Sequence, residues 1–255
     1  MICDLTLADR QVLANWIGER PETVLAVAAL RADGRVWADG DPSAPNAVLV
    51  ESPLVPGEPQ AFGDPDAIMR LLERVDAWTC VELDPTVADL LAADFDQRWG
   101  LERTVVDVVH ALFTPVEVSH HPAVRPLTAA EAIELPRSNA EVLTVGPMTA
   151  SAAASGFVHA AVPDGAIVGQ ASSLATGSTF ADVAVHVAAT HRRDGIATAA
   201  ASLTCRALQQ AGFTPVWGTG SHNEASMRVA RRLGFVEVTR LHYLVRTRRP
   251  EHEAS

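Results

Sequence analysis

Cysteine, tyrosine and basic charge are all scarce in this sequence. Three cysteines, Cys3, Cys80 and Cys205, are scattered through 255 residues, odd in number and without paired spacing. That argues against a disulfide framework or a zinc knuckle and points to a reducing compartment, the cytoplasm. Lys and Arg total 20 against 31 Asp and Glu, a net charge of −11. A chain of that sign does not neutralise a phosphate backbone or an anionic bilayer, so neither nucleic acid nor membrane is an expected partner. Long apolar runs are also missing. Stretches such as Val24–Leu30 fall far short of the ~20 residues of a membrane span, and Met1–Asp9 lacks the basic cluster of a signal peptide. No G-x-G-x-x-G, G-x-x-x-x-G-K-[ST], G-x-S-x-G or H-E-x-x-H occurs, which removes the Rossmann, P-loop, hydrolase-elbow and zincin readings.

What is present is an ordinary packed chain, 48% apolar and 20% charged, long enough for one large domain or two small ones. We expect a division into residues 1–115 and 116–250, both of mixed α/β character. In the first half the strand-like runs are Thr23–Leu30, Ala47–Ser52, Trp78–Leu83 and Thr104–Phe113. Helices are expected over Asp66–Val75 and Pro85–Trp99, each preceded by Asp-Pro, an Asp cap with proline in the first turn. Ala32-Asp33-Gly34 and Ala38–Pro45 are rich in turn residues and predict loops. Residues 114–125 form a connecting segment. Its adjacent His120 and His121 point to opposite faces of an extended chain, a poor arrangement for one metal.

The second half carries sharper signals. Thr128 and Glu131 fit a capping box ahead of a short helix. Phe157–Val162, Pro163-Asp164-Gly165 and Ala166–Leu174 predict a β-hairpin, and Phe180–Ala188 a further strand. Ile196–Ala211 and Glu224–Leu233 have helical spacing, with Gly212 and Gly234 just past their ends and Asn223 as an N-cap. Thr214–Trp217 and Val236–Val245 complete the strands.

The stretch Val187–Thr198, VAATHRRDGIAT, runs from a strand through Arg192, Arg193, Asp194 and Gly195 into a helix. The first turn of a helix offers unpaired N–H groups at the positive end of its dipole. Gly195 lets a ligand approach the backbone, Ala197 keeps the next side chain small, and the arginines add charge. Together these suit a pyrophosphate. A tight strand–helix turn explains the same residues without a ligand, and the stretch alone does not decide between the two.

Taken with Asn223, Ser226 and Leu233-Gly234-Phe235, this stretch resembles the GNAT family of acyl-CoA N-acyltransferases over about residues 124–246. The family's R/Q-x-x-G-x-G/A pattern falls on Arg192, Gly195 and Ala197. The later spacing, Trp217-Gly218, Asn223-x-x-Ser226 and Ala230-x-x-Leu233-Gly234-Phe235, is similar to the group containing the zwittermicin resistance protein. The resemblance implies a mixed, mostly antiparallel sheet flanked by helices, with residues 1–115 as a degenerate GNAT-like domain. It further implies that acetyl-CoA is the acyl donor, bound by the backbone of Val185 and Val187, by Arg192, Arg193, Asp194, Gly195, Ile196, Ala197 and Thr198, and by Asn223 and Ser226. The N–H of Val187 would polarise the thioester carbonyl. No metal is implied.

The chain departs from the family where it matters for proton transfer. Ala230 stands at the usual tyrosine position and Gly218 at a glutamate used by some members. The only tyrosine, Tyr243, is on the last strand. Asp182 and His186 remain as candidate bases, four residues apart and so expected on one face of a single strand, with His159 and His222 as weaker ones. Each of these has a plain structural role as its alternative, as does Trp217, for which packing is expected. The expected activity is transfer of an acetyl group from acetyl-CoA to a primary amine of a small molecule, by a monomer or a homodimer. The rival readings are a non-acetylating CoA-binding sensor and a protein N-acetyltransferase.

Overall fold

The computed structural model describes residues 5–135 and 146–247. It falls into two compact units: the chain up to Val109 together with the chain from Thr239 onward, and the chain from His110 to Val238.

In the first unit α1 (Leu7–Ile17) starts with a capping box, Thr6 Oγ1 accepting from the Asp9 N–H at 3.2 Å and the Asp9 carboxylate from the Thr6 N–H at 2.9 Å. Then comes α2 (Val24–Arg31), where a strand is expected. An unbroken apolar run has no period by which to tell strand from helix. Here the three alanines of VLAVAAL favour the helix, and Pro21 begins a 3₁₀ turn just before it. Leu30, Val27 and Ala26 bury against Leu13 and Ile17. The loop expected over Ala38–Pro45 is also mostly strand: β1 (Arg35–Asp41) and β2 (Ala44–Glu51) pair antiparallel, with a register shift between Asp39 and Gly40 that Gly40 accommodates at φ 100°.

After β3 (Gln60–Gly63) come α3 (Pro65–Leu72), β4 (Cys80–Leu83), α4 (Pro85–Trp99) and β5 (Leu101–Ala111). Both helices start as their Asp-Pro pairs predict: Asp64 Oδ1 accepts from the Ala67 N–H at 3.0 Å and Asp84 Oδ1 from the Thr86 N–H at 2.8 Å. Asp64→Ala is expected to cost about 1 kcal/mol, to be checked as a shift in the urea midpoint at unchanged slope. Beneath these helices Trp78, Phe95 and Trp99 meet edge to face at 5.2–5.8 Å between ring centres.

The second unit contains β6 (Val124–Pro126), α5 (Ala129–Glu134), α6 (Gly146–Ala154), β7 (Val158–Ala161), β8 (Gly169–Ser172), β9 (Phe180–Asp182), β10 (Ala184–Val187), α7 (Ile196–Gln210), β11 (Thr214–Gly220) and α8 (Glu224–Arg232). The capping box of Thr128 and Glu131 forms, and β7 and β8 make the expected hairpin, Val158 opposite Ser172 and Ala161 opposite Gly169. Strands β10-β8-β7-β6 form an antiparallel sheet, while β9 pairs parallel with β11. The last strand, β12 (Val236–Arg246), leads back into the first unit. Its sheet there runs β1-β2-β3-β4-β12-β5, antiparallel except for β3 against β4 among the registers the structure gives. The fold is mixed α/β, its sheets mostly antiparallel and flanked by helices. Among the described residues no helix is long and apolar enough to cross a membrane.

Candidate functional site

The strand expected over Phe180–Ala188 is two strands in two sheets. Phe180, Ala181 and Asp182 lie opposite Thr214, Pro215 and Val216. The Val183 N–H then donates to the Val216 carbonyl at 2.9 Å. From Ala184 the chain pairs with β8 instead, Ala184 opposite Ser172 and His186 opposite Gln170. Beyond the strand the Ala188 N–H still donates to Val168 at 2.8 Å, so the even-numbered residues face β8. By the alternation of an antiparallel ladder, Val185 and Val187 turn their N–H and C=O groups to the other edge, the one Val183 uses for β11. The Val187 carbonyl accepts from Arg192 Nε at 3.1 Å.

At the far end of β10 the chain turns into α7. Arg193 and Gly195 are both left-handed, at φ 70° and 83°, and Gly195 caps the helix with no side chain on its free N–H groups. A left-handed arginine is strained where glycine is not. Left-handed residues in a turn of this kind are the backbone conformation from which anion-binding concavities are built. A Cβ built on Gly195 meets nothing within 4 Å. Arg192, Arg193, Asp194 and Gly195 are exposed, Ala197 is half-buried, and Thr198 is buried. Ile196 anchors the turn, packed with Ala161, Val168 and Val187.

One contact at this turn is absent from the sequence reading. His121, assigned there to a solvated connector, accepts the Ala123 N–H on Nδ1 at 3.2 Å and sets Nε2 3.4 Å from Asp194 Oδ2. That fixes the tautomer, with the proton on Nε2. Only the pattern H-x-A, with a ring nitrogen reaching forward two residues, hints at it.

Asn223 and Ser226 begin α8. Asn223 Oδ1 accepts the Ser226 N–H at 3.1 Å, and Ser226 Oγ accepts Trp217 Nε1–H at 2.9 Å. Both side chains therefore hold the strand–helix turn, leaving the Asn223 amide NH₂ and the Ser226 O–H to offer elsewhere. Trp217 packs edge-on to Phe235 at 5.6 Å, the structural role expected of it. Ala230 is fully buried beside them, among Leu233 and Phe235, on a face where a tyrosine ring would have to displace core.

Asp182 ends β9 and is half-buried, yet hemmed in closely enough that burial pushes its carboxyl up to about 7 against the opposing hydrogen bond from the Val183 N–H. His186 is half-buried on β10. The turn at Val183 separates the two, so a shared face no longer follows from their spacing. His159 is a core residue: Thr204 O–H donates to the Ala171 carbonyl at 3.3 Å and its oxygen sits 3.0 Å from His159 Nδ1. Burial holds that imidazole down at about 4, hence neutral. Tyr243 lies in the other unit, opposite Glu82 on β4, and burial drives its phenol well above its ordinary range. Among the described residues no group of three His, Cys, Asp or Glu side chains could hold a metal.

Comparison with known proteins adds a family match over part of the chain and a fold. Residues 150–244 match the model of the family described as GNAT acetyltransferase. No curated protein matches. A GCN5-related N-acetyltransferase-like protein from Streptococcus suis superposes with a TM-score of 0.65 at 17% identity, covering 94% of this chain and 99% of its own. A GCN5-related N-acetyltransferase from Kribbella flavida gives 0.57 at 17%, covering 95% and 96%. A tandem GNAT protein from the clavulanic acid biosynthesis pathway gives 0.55 at 15%, covering 93% of each chain. The chain thus has the fold of GNAT proteins, and its stretch 150–244 matches the GNAT acetyltransferase family.

Proposed function

We propose that the protein is an acetyl-CoA-dependent N-acetyltransferase acting on a primary amine of a small molecule, in the group that contains the zwittermicin resistance protein. The observation that carries this is the junction of two features: the uncapped, left-handed start of α7, and the β10 edge that opens from β11 at Val183. In this reading the N–H groups of Arg193–Thr198 bind the pyrophosphate with the Arg192 and Arg193 side chains beside them. The backbone of Val185 and Val187 pairs with the pantetheine arm. The Val187 N–H, on that open edge, polarises the thioester carbonyl, and Asn223 and Ser226 flank the arm with the donors their own helix leaves over.

Asp182 takes the proton of the incoming ammonium, since a carboxyl poised near 7 is half ionised where the reaction runs. His186 is the second candidate for that step. A thiolate leaves without a side-chain acid, which accommodates Ala230. Residues 1–115 are read as a degenerate copy of the same domain, and the buried free thiols Cys80 and Cys205 fit a cytoplasmic setting.

Calorimetric titration with acetyl-CoA tests the cradle. Binding that weakens about tenfold in Gly195→Trp, whose side chain would stand in the open space before the helix, supports it, because a backbone anion site depends on close approach. No binding of acetyl-CoA at millimolar concentration would sink it. The chain contains no lysine, so an amine screen followed by mass spectrometry carries no signal from lysine self-acetylation.

A further inference from the structure

In the first unit β3 and β4 run parallel, with Gln60 opposite Glu82 as their one register pair. Past that pair they part, and the wedge is a cavity of about 340 Å³, a size that suits a small organic molecule. Its apolar walls come from Trp16, Ile17, Phe62, Leu83, Val87 and Leu241. Trp16, one of these walls, is 39% exposed overall.

The polar rim is lopsided in what it can still offer. Arg20 gives Nε to Glu22 Oε1 at 2.6 Å and Nη1 to the Ile17 carbonyl at 2.8 Å. Gln60 gives Nε2 to the Glu22 carbonyl at 2.8 Å. Asp84, also on the rim, uses only Oδ1 to cap α4. Two carboxylates against one guanidinium leave the rim at net −1, with the guanidinium tied down.

The adjoining helix start repels anions. Asp64 caps α3 with its own carboxylate, Pro65 has no N–H, and Asp66 adds a second negative charge in the first turn. This is the opposite of the bare glycine at the start of α7 and disfavours any phosphate-bearing ligand. We propose that this wedge is a second ligand site, for a small molecule that joins an ammonium group to an apolar ring. The ammonium lies between Glu22 and Asp84, and the ring lies against Trp16 and Phe62. The site stands on this unit alone and does not depend on the acetyl-transfer reading.

The test uses the full chain and calorimetric titration with three probes of one ring: tryptamine, tryptophol and indole-3-acetate. Wild type is compared with Asp84→Asn, which keeps an N-cap oxygen but removes the charge, and with Val87→Trp, which fills the wedge. The expected result is that tryptamine binds wild type, tryptophol and indole-3-acetate bind at least ~10-fold more weakly, and both wedge variants lose ~10-fold or more, about 1.4 kcal/mol. Absent tryptamine binding, equal affinity for the three probes, or full affinity retained in either wedge variant overturns the proposal.

Discussion

Under the proposed acetyl transfer, Asp182→Asn is expected to lower kcat for amine acetylation by about 10²–10⁴-fold, the usual contribution of a positioned general base, and to leave the KM for acetyl-CoA within roughly twofold, because the start of α7 is untouched. The direction with pH is fixed by the same carboxyl. Burial holds it at about 7, so in the wild type the base is protonated and silent below that value and kcat falls tenfold per pH unit on the acid side. Asparagine cannot titrate, so the variant's residual rate loses that limb near 7. His186→Gln separates the two candidates on one plate. If His186 takes the proton, its variant loses the rate and Asp182→Asn keeps it. Activity within a few-fold of wild type in both Asp182→Asn and His186→Gln would mean that water alone removes the proton.

The uncapped start of α7 was legible in the sequence because its physics is local. Gly195 stands one residue before a clean helical period, and arginines precede it in an acidic chain; no long-range contact is needed to see that a helix start is left uncapped. The capping box of Thr128 and Glu131 and the Asp-Pro starts of α3 and α4 were legible for the same reason. What could not be read depends on partners far along the chain. Val183, where one strand becomes two, is flanked by Asp182 and Ala184 with no glycine or proline to mark the turn. Only the competition between β8 and β11 for its neighbours breaks the strand there. The helix α2 was misread because an apolar run without period leaves the choice to packing against α1. The role of Trp217 followed from its type, but the hydrogen bond that ties it to Ser226 did not. His121 reaches Asp194 across 73 positions, a contact no local pattern announces.

Glu82 is an extreme case of such dependence, and it sets the second large effect. It sits on β4 with Tyr243 opposite and hydrogen-bonded to it, while Asp107 and Glu58 add negative charge nearby. Burial, with these charges, pushes its carboxyl from 4.5 up to about 8. An acid whose folded value is raised holds a proton that the unfolded chain has already lost. The stability it contributes is therefore complete below the unfolded value and disappears as pH rises through about 8. His159 acts in the opposite sense and lower down, destabilising the fold as pH falls below its unfolded value. A comparison of pH 6.5 with pH 8.5 isolates the glutamate from the histidine. Over that interval wild type should lose roughly 2 kcal/mol through Glu82, at about 1.4 kcal/mol per pH unit while the folded carboxyl stays protonated. Glu82→Gln keeps the shape and an oxygen for the Tyr243 hydroxyl but has nothing to ionise. It should be more stable than wild type at both pH values, with the gap widening by that amount between pH 6.5 and pH 8.5, about 4–8 °C in Tm. Parallel thermal curves for the two proteins across the interval would show that the Glu82 carboxyl is ionised in the fold. In that event Tyr243 and solvent, rather than a shared proton, hold the charge between β4 and β12.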